Sequence, residues 1–116
     1  MRLRNATSGR LLAEQIRVAD TAWTRMRGLL GHPPLRAGEG LWIRPSNGVH
    51  TFGMKYAIDV IFLDSRKRVV DLYENLKPFR LTKIRFDTRS VVELPTHTIS
   101  QSGTKIGDQL EIGASQ

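Results

Sequence analysis

Apolar and polar residues alternate in short runs along most of this chain, and only one stretch repeats at helical spacing. Near the start, Leu3 lies between Arg2 and Arg4, while residues 11–18 put Leu12, Ile16 and Val18 on one face and Gln15 and Arg17 on the other. Thr7, Ser8, Gly9 and Arg10 supply turn chemistry between these runs, so the first twenty residues read as a hairpin. Asp20 or Thr21 then caps a short helix whose apolar positions Ala22, Trp23, Met26, Leu29 and Leu30 fall at i, i+1, i+4, i+7 and i+8. Gly31 and Pro33-Pro34 stop it, and Gly28 marks either an earlier helix end or a close backbone approach. From Gly40 onward the pattern is that of strands. Leu41, Trp42 and Ile43 form one, Pro45 to Gly48 turn the chain, and residues 49–54 run extended up to an interruption at Gly53. Residues 57–63 are apolar on both faces, which predicts a central strand covered on both sides. A turn at residues 64–67 leads into alternation over 68–74, a second hairpin that Pro78 ends. Residues 81–89 are ambiguous, 90–94 and 108–112 are two further strands, and 95–102 hold one or two helical turns.

Many short strands with one convincing helix predict a mainly β protein: a small antiparallel β-barrel or β-sandwich with one or two short helices covering an opening. At 116 residues, without repeat, linker or low-complexity tract, residues 1–116 read as a single domain. The absence of cysteine excludes disulfides, thiolate metal sites and a thiol nucleophile. Neither a signal-peptide core nor a membrane-spanning run is visible, so the expected location is cytoplasmic and no membrane insertion is expected. The charge balance, 18 Lys and Arg against 11 Asp and Glu, is strongly basic and suggests an acidic partner. The cations are nevertheless scattered, with the nearest approach to clusters at 66–68 and 77–89, and scattered arginines mark a solvated surface more than a nucleic-acid site.

Asp59 is the most informative candidate for chemistry, because it shares a strand face with Ile61 and Leu63 in an otherwise apolar run. A carboxylate there needs Lys55, an arginine such as Arg27, or backbone N–H groups to meet it. His50 and Thr51 bring an imidazole and a hydroxyl to the approach of the same strand, and Glu93 places a second carboxylate in the strand at 90–94. An enzyme built from them would use His50 as general base, oriented by Asp59 or Glu93, with Thr51 or water as nucleophile. Adjacent strand residues point to opposite faces, which sets His50 against Thr51. The histidines are 18 and 47 positions apart, with no local metal-binding pair, and the glycines match neither phosphate-loop fingerprint, so no metal and no nucleotide cofactor is expected. Trp42, Phe52, Tyr56 and Met54 can line a pocket, whereas Trp23 and Met26, at helical spacing, are expected in the core.

The order of four blocks is specific: Arg25-Met26-Arg27-Gly28-Leu29-Leu30-Gly31; Gly38-Glu39-Gly40-Leu41-Trp42; His50-Thr51-Phe52-Gly53-Met54 running on through Asp59 to Asp64; and Val92-Glu93-Leu94-Pro95 followed by Gly107-Asp108. Nearly the whole chain in this order resembles the domain of unknown function family 192 (DUF192). The resemblance implies a mainly β domain of this size without an established activity. The expectation is therefore a non-enzymatic module that binds a small molecule or a protein through a pocket rimmed by Asn47, His50, Thr51, Phe52, Met54, Lys55, Asp59 and Glu93. The alternatives are a hydrolase-like enzyme using His50 with Asp59 or Glu93, and an accessory module docking on an acidic protein or nucleic acid through its basic surface.

Overall fold

A computed structural model describes residues 1–114. Its centre is the run the pattern singles out: β5 (Ile58–Leu63) has all six residues buried. Antiparallel neighbours flank it on both sides, β6 (Val69–Leu76) and β7 (Ser90–Leu94). The Asp64 turn makes the β5–β6 hairpin as expected, its carboxylate accepting from the backbone N–H of Arg66 and of Arg68, each at 2.9 Å. Outward from β7 come β4 (Glu39–Ile43) and then β3 (Gln15–Ala19), completing a five-stranded sheet in the order β3-β4-β7-β5-β6. A second sheet of three strands is ordered β2-β1-β8, from β1 (Arg2–Asn5), β2 (Leu11–Ala13) and β8 (Leu110–Gly113). The helices are α1 (Ala22–Arg27) and α2 (Thr98–Ser102). The protein is thus mainly β with two sheets. Among the described residues no barrel closes, and the β3–β4 pair is parallel where an all-antiparallel arrangement is predicted. No described helix is long and apolar enough to cross a membrane.

Alternation along the central strands separates two cores. Ile61, Leu63, Val92 and Leu94 meet Leu3, Leu12 and Leu110 of the three-stranded sheet together with Ile99 of α2. Val60, Phe62 and Val91 face the other way, onto Leu29, Ile43 and Met54. At Gly40 the first core allows no side chain: an added Cβ would lie 2.7 Å from Ile16 Cδ1, 2.8 Å from Leu94 Cδ2 and 3.1 Å from the Glu93 carbonyl oxygen. Gly40→Ala is accordingly expected to cost about 1–2 kcal/mol through overpacking. An unchanged urea midpoint would show that β4 moves away from its neighbours without penalty.

The structure departs from two further expectations. Residues 11–18 are not one strand, because Glu14 and Gln15 both donate their backbone N–H to the Gly38 carbonyl oxygen and the chain changes sheets there. Trp23 and Met26 are not core, being 68% and 69% exposed. Thr21 does cap the helix: its hydroxyl accepts from the Thr24 N–H at 3.1 Å, and its own N–H donates to the Thr24 hydroxyl at 3.0 Å. Gly28, at φ 50°, then ends the helix after six residues, so Leu29 turns down alone into the second core while Trp23 and Met26 stay outside.

Candidate functional site

The face of the five-stranded sheet that lies beneath α1 is incompletely filled. A cavity of about 650 Å³ opens between α1, the turn from Gly28 to Leu30, the loop through Pro45 and Phe52, and the end of β7. Its apolar walls come from Met26, Leu29, Leu30, Ile43, Phe52 and Met54, and Asn47 and His50 stand at its edge. Arg25, Arg27 and Arg89 also line it. Each of these cations already touches a backbone carbonyl, Arg25 that of Pro45, Arg27 that of Leu30 and Arg89 that of Phe86, and none of these contacts neutralises its charge.

Glu93 lies at the base. Its strand position, opposite Val60 in β5 and Leu41 in β4, turns it to the same side of the sheet as Val91 and Phe62. The residue is 2% exposed, and its Oε1 has no hydrogen-bond partner. Burial pushes its carboxyl up from the ordinary 4.5 to about 7. Gly28 lets the turn pack closely over it: a Cβ at that position would sit 3.3 Å from Glu93 Oε1, a tight contact. Tyr56, whose hydroxyl donates to the carbonyls of His32 at 3.1 Å and Pro33 at 3.3 Å, has its phenol pushed up by burial and secondarily by the charge of Glu93.

Of the eight candidates read from the sequence, five line this cavity: Asn47, His50, Phe52, Met54 and Glu93. The other three lie elsewhere. Thr51 is buried, its hydroxyl donating to the Lys77 carbonyl at 2.6 Å and accepting from the Arg80 N–H at 2.9 Å, so it fastens the chain after β6. Lys55 is exposed and away from the walls. Asp59 pairs with Leu94 in register and faces the opposite core from Glu93. Backbone N–H groups meet it, that of Asn75 on Oδ1 and that of Ile99 on Oδ2, both at 2.9 Å, and neither Lys55 nor Arg27 does so. The sheet therefore stands between Asp59 and the cavity holding His50. The His50 ring stacks on Phe52 at 5.6 Å between centroids, and among the described residues it holds no hydrogen bond to a hydroxyl or a carboxylate. Nor do three His, Asp or Glu side chains gather there to hold a metal ion.

Sequence reasoning missed Arg25, Met26, Arg27, Gly28 and Arg89. A signal existed in the first of the four blocks, where Arg25-Met26-Arg27-Gly28 sets two cations and a glycine around a methionine that the short helix cannot bury.

The sequence matches the family DUF192, described as an uncharacterized ACR, over residues 3–112. A UPF0127 protein of Pyrococcus furiosus is 37% identical over 110 residues, covering 92% of this chain and 94% of the relative. A UPF0127 protein of Thermococcus sibiricus is 33% identical over 112 residues, with 92% and 71% covered. The crystal structure of a protein of unknown function from Novosphingobium aromaticivorans superposes with a TM-score of 0.83 at 22% identity, covering 97% of this chain and 84% of that one, a likeness of fold.

Proposed function

The chain belongs to the DUF192 family, and from its cavity we propose that it is a binding domain for a small organic anion carrying an apolar body and an N–H or O–H donor. The observation that carries this reading is the unpartnered Glu93 carboxyl at the base of a cavity that Arg25, Arg27 and Arg89 line. A buried polar atom without a partner is costly unless something supplies one, and a cavity of this size suits a small ligand. The arginines select a negative group, Met26, Phe52 and Met54 cover the apolar body, and Glu93 takes the donor. Reaching Oε1 requires a small movement of the turn from Gly28 to Leu30, which packs over it.

Nuclear magnetic resonance titration with three probes tests the reading: 4-hydroxyphenylacetate, phenylacetate, which lacks the donor, and tyramine, which reverses the charge. The hydroxylated anion is expected to bind saturably, with shifts confined to α1, residues 43–54 and residues 88–93. Phenylacetate should bind about three- to tenfold more weakly, the worth of one hydrogen bond, and tyramine more weakly still. The reading fails if no probe saturates or if the shifts map to another face.

A second reading, a hydrolase-like enzyme with Glu93 as general base, draws support from a carboxyl held near 7 in the same cavity as His50. Turnover of an activated ester that disappears in Glu93→Gln while the fold is kept would favour it over binding alone.

A further inference from the structure

The segment after β6, residues 77–89, contributes no strand to either sheet, yet its backbone is firmly held. The Phe79 N–H donates to the Thr51 carbonyl, the Thr51 N–H to the Arg80 carbonyl, the Thr82 N–H to the Val49 carbonyl and the Arg85 N–H to the Asn47 carbonyl, at 2.9–3.1 Å. So anchored along the cavity's Asn47–His50 edge, it presents Phe79, Leu81, Ile84 and Phe86 outward at 64–89% exposure. Large apolar side chains clustered at that exposure within eight residues mark a contact surface rather than ordinary surface scatter. Cations alternate with them. Arg85 is taken by Asp87 at 2.8 Å and Asp71 at 3.5 Å, whereas Lys77, Arg80 and Lys83 are exposed and have no carboxylate within salt-bridge distance among the described residues.

We propose that residues 77–89 dock the protein on an anionic lipid bilayer, with Phe79, Leu81, Ile84 and Phe86 entering the interface while Lys77, Arg80 and Lys83 meet lipid phosphates. The surface carries both complements such a bilayer offers, apolar area and unneutralised positive charge, and the docking needs no membrane-spanning helix. A single-stranded nucleic acid would match the cations and stack bases on Phe79 and Phe86, but it would leave the aliphatic Leu81 and Ile84 in water, whereas a bilayer interface takes all four. A second copy of this chain would bring a net charge of +7 against +7. Phe52 and Met26, exposed at the adjacent cavity, extend the apolar surface past the loop.

The test is sedimentation of the full chain with vesicles of phosphatidylcholine alone and of phosphatidylcholine mixed with phosphatidylglycerol, at physiological salt. Partitioning onto the mixed vesicles and not the neutral ones is expected, weakened by added salt. The double substitution I84S/F86S should lower it at least tenfold and Lys83→Glu severalfold, with circular dichroism and melting temperature unchanged because these side chains are exposed. Should I84S/F86S fail to fold, spin-labelled lipid added to the wild-type protein decides: amide broadening must centre on residues 79–86. Absence of partitioning, partitioning indifferent to I84S/F86S, broadening centred elsewhere, or a dimer in sedimentation equilibrium that I84S/F86S dissolves would each overturn the proposal.

Discussion

At pH 8, Glu93→Gln is expected to be more stable than the natural protein by about 3 kcal/mol, while at pH 4 the two should be equal. The Glu93 carboxyl is fully buried without a partner for Oε1, and its folded-state value of about 7 stands above the 4.5 it holds in water. Below pH 4.5 both folded and unfolded chains carry the proton and the group costs nothing extra. As pH rises from 4.5 to 7 the unfolded chain ionises first, so the folded state loses stability at ~1.4 kcal/mol per pH unit, levelling off above 7. The neutral amide of Gln imitates the protonated acid at every pH and escapes the loss. Other groups add their own pH dependence to both proteins, so the difference between variant and natural chain is the quantity to follow, by urea denaturation at pH 4, 6 and 8. A difference that stays flat across that range would sink the assignment of Glu93 as a buried, raised carboxyl. The same ionisation makes the site responsive near neutrality: a ligand that donates to the carboxylate offsets the penalty and should raise the apparent stability most above pH 7.

The opposite sign is expected at the other buried carboxylate. Asp59→Ala should lower stability by about 2–4 kcal/mol, because it strands two backbone donors at ~1–3 kcal/mol each with partial relaxation. One donor, Asn75 N–H, belongs to a β6 residue at φ 54°, and the other, Ile99 N–H, belongs to the first turn of α2. Asp59→Asn keeps one acceptor and turns an amide N–H₂ toward the other donor, so it should fall between. Hydrogen exchange at Asn75 and Ile99 should speed up in both variants, and probe binding in the cavity should be unchanged because the sheet intervenes. Stability loss no greater than that of Asp20→Ala, an exposed carboxylate, would show that the two hydrogen bonds contribute nothing.

The pair illustrates what could be read from residue order. That Asp59 is unusual was legible, since it interrupts an apolar strand whose alternation fixes its local face, while Glu93 was legible only as a second carboxylate in the strand at 90–94. That they serve opposite faces was not, because it depends on the register of β5 against β7, where Asp59 meets Leu94 and Val60 meets Glu93. The central hairpin was legible because hydrophobic pattern and turn chemistry agree over residues 57–74. The break at Glu14 was not, since a change of sheet leaves the alternation of Leu12, Ile16 and Val18 almost intact. The exposed Trp23 and Met26 mislead for a related reason: helical spacing predicts burial only when the helix is long enough to lie along a core, and α1 stops at Gly28.

Arg2 pairs with Gly113 where β1 meets β8, so the three-stranded sheet closes a loop of nearly the entire chain, whereas all five strands of the larger sheet lie within residues 15–94. Closure entropy grows only with the logarithm of loop length, by ~0.6 kcal/mol per doubling, so a loop four times longer costs about 1 kcal/mol more. In equilibrium terms the long closure is cheap. In kinetic terms it is not, because a contact between such distant residues must be found by chain diffusion before any of its hydrogen bonds form. The five-stranded sheet, whose β5–β6 hairpin is the most local pairing in it, is the expected template on which β8 closes against β1, so Leu110 is expected to join the shared core after Leu3 and Leu12, which the local β1–β2 hairpin already brings together.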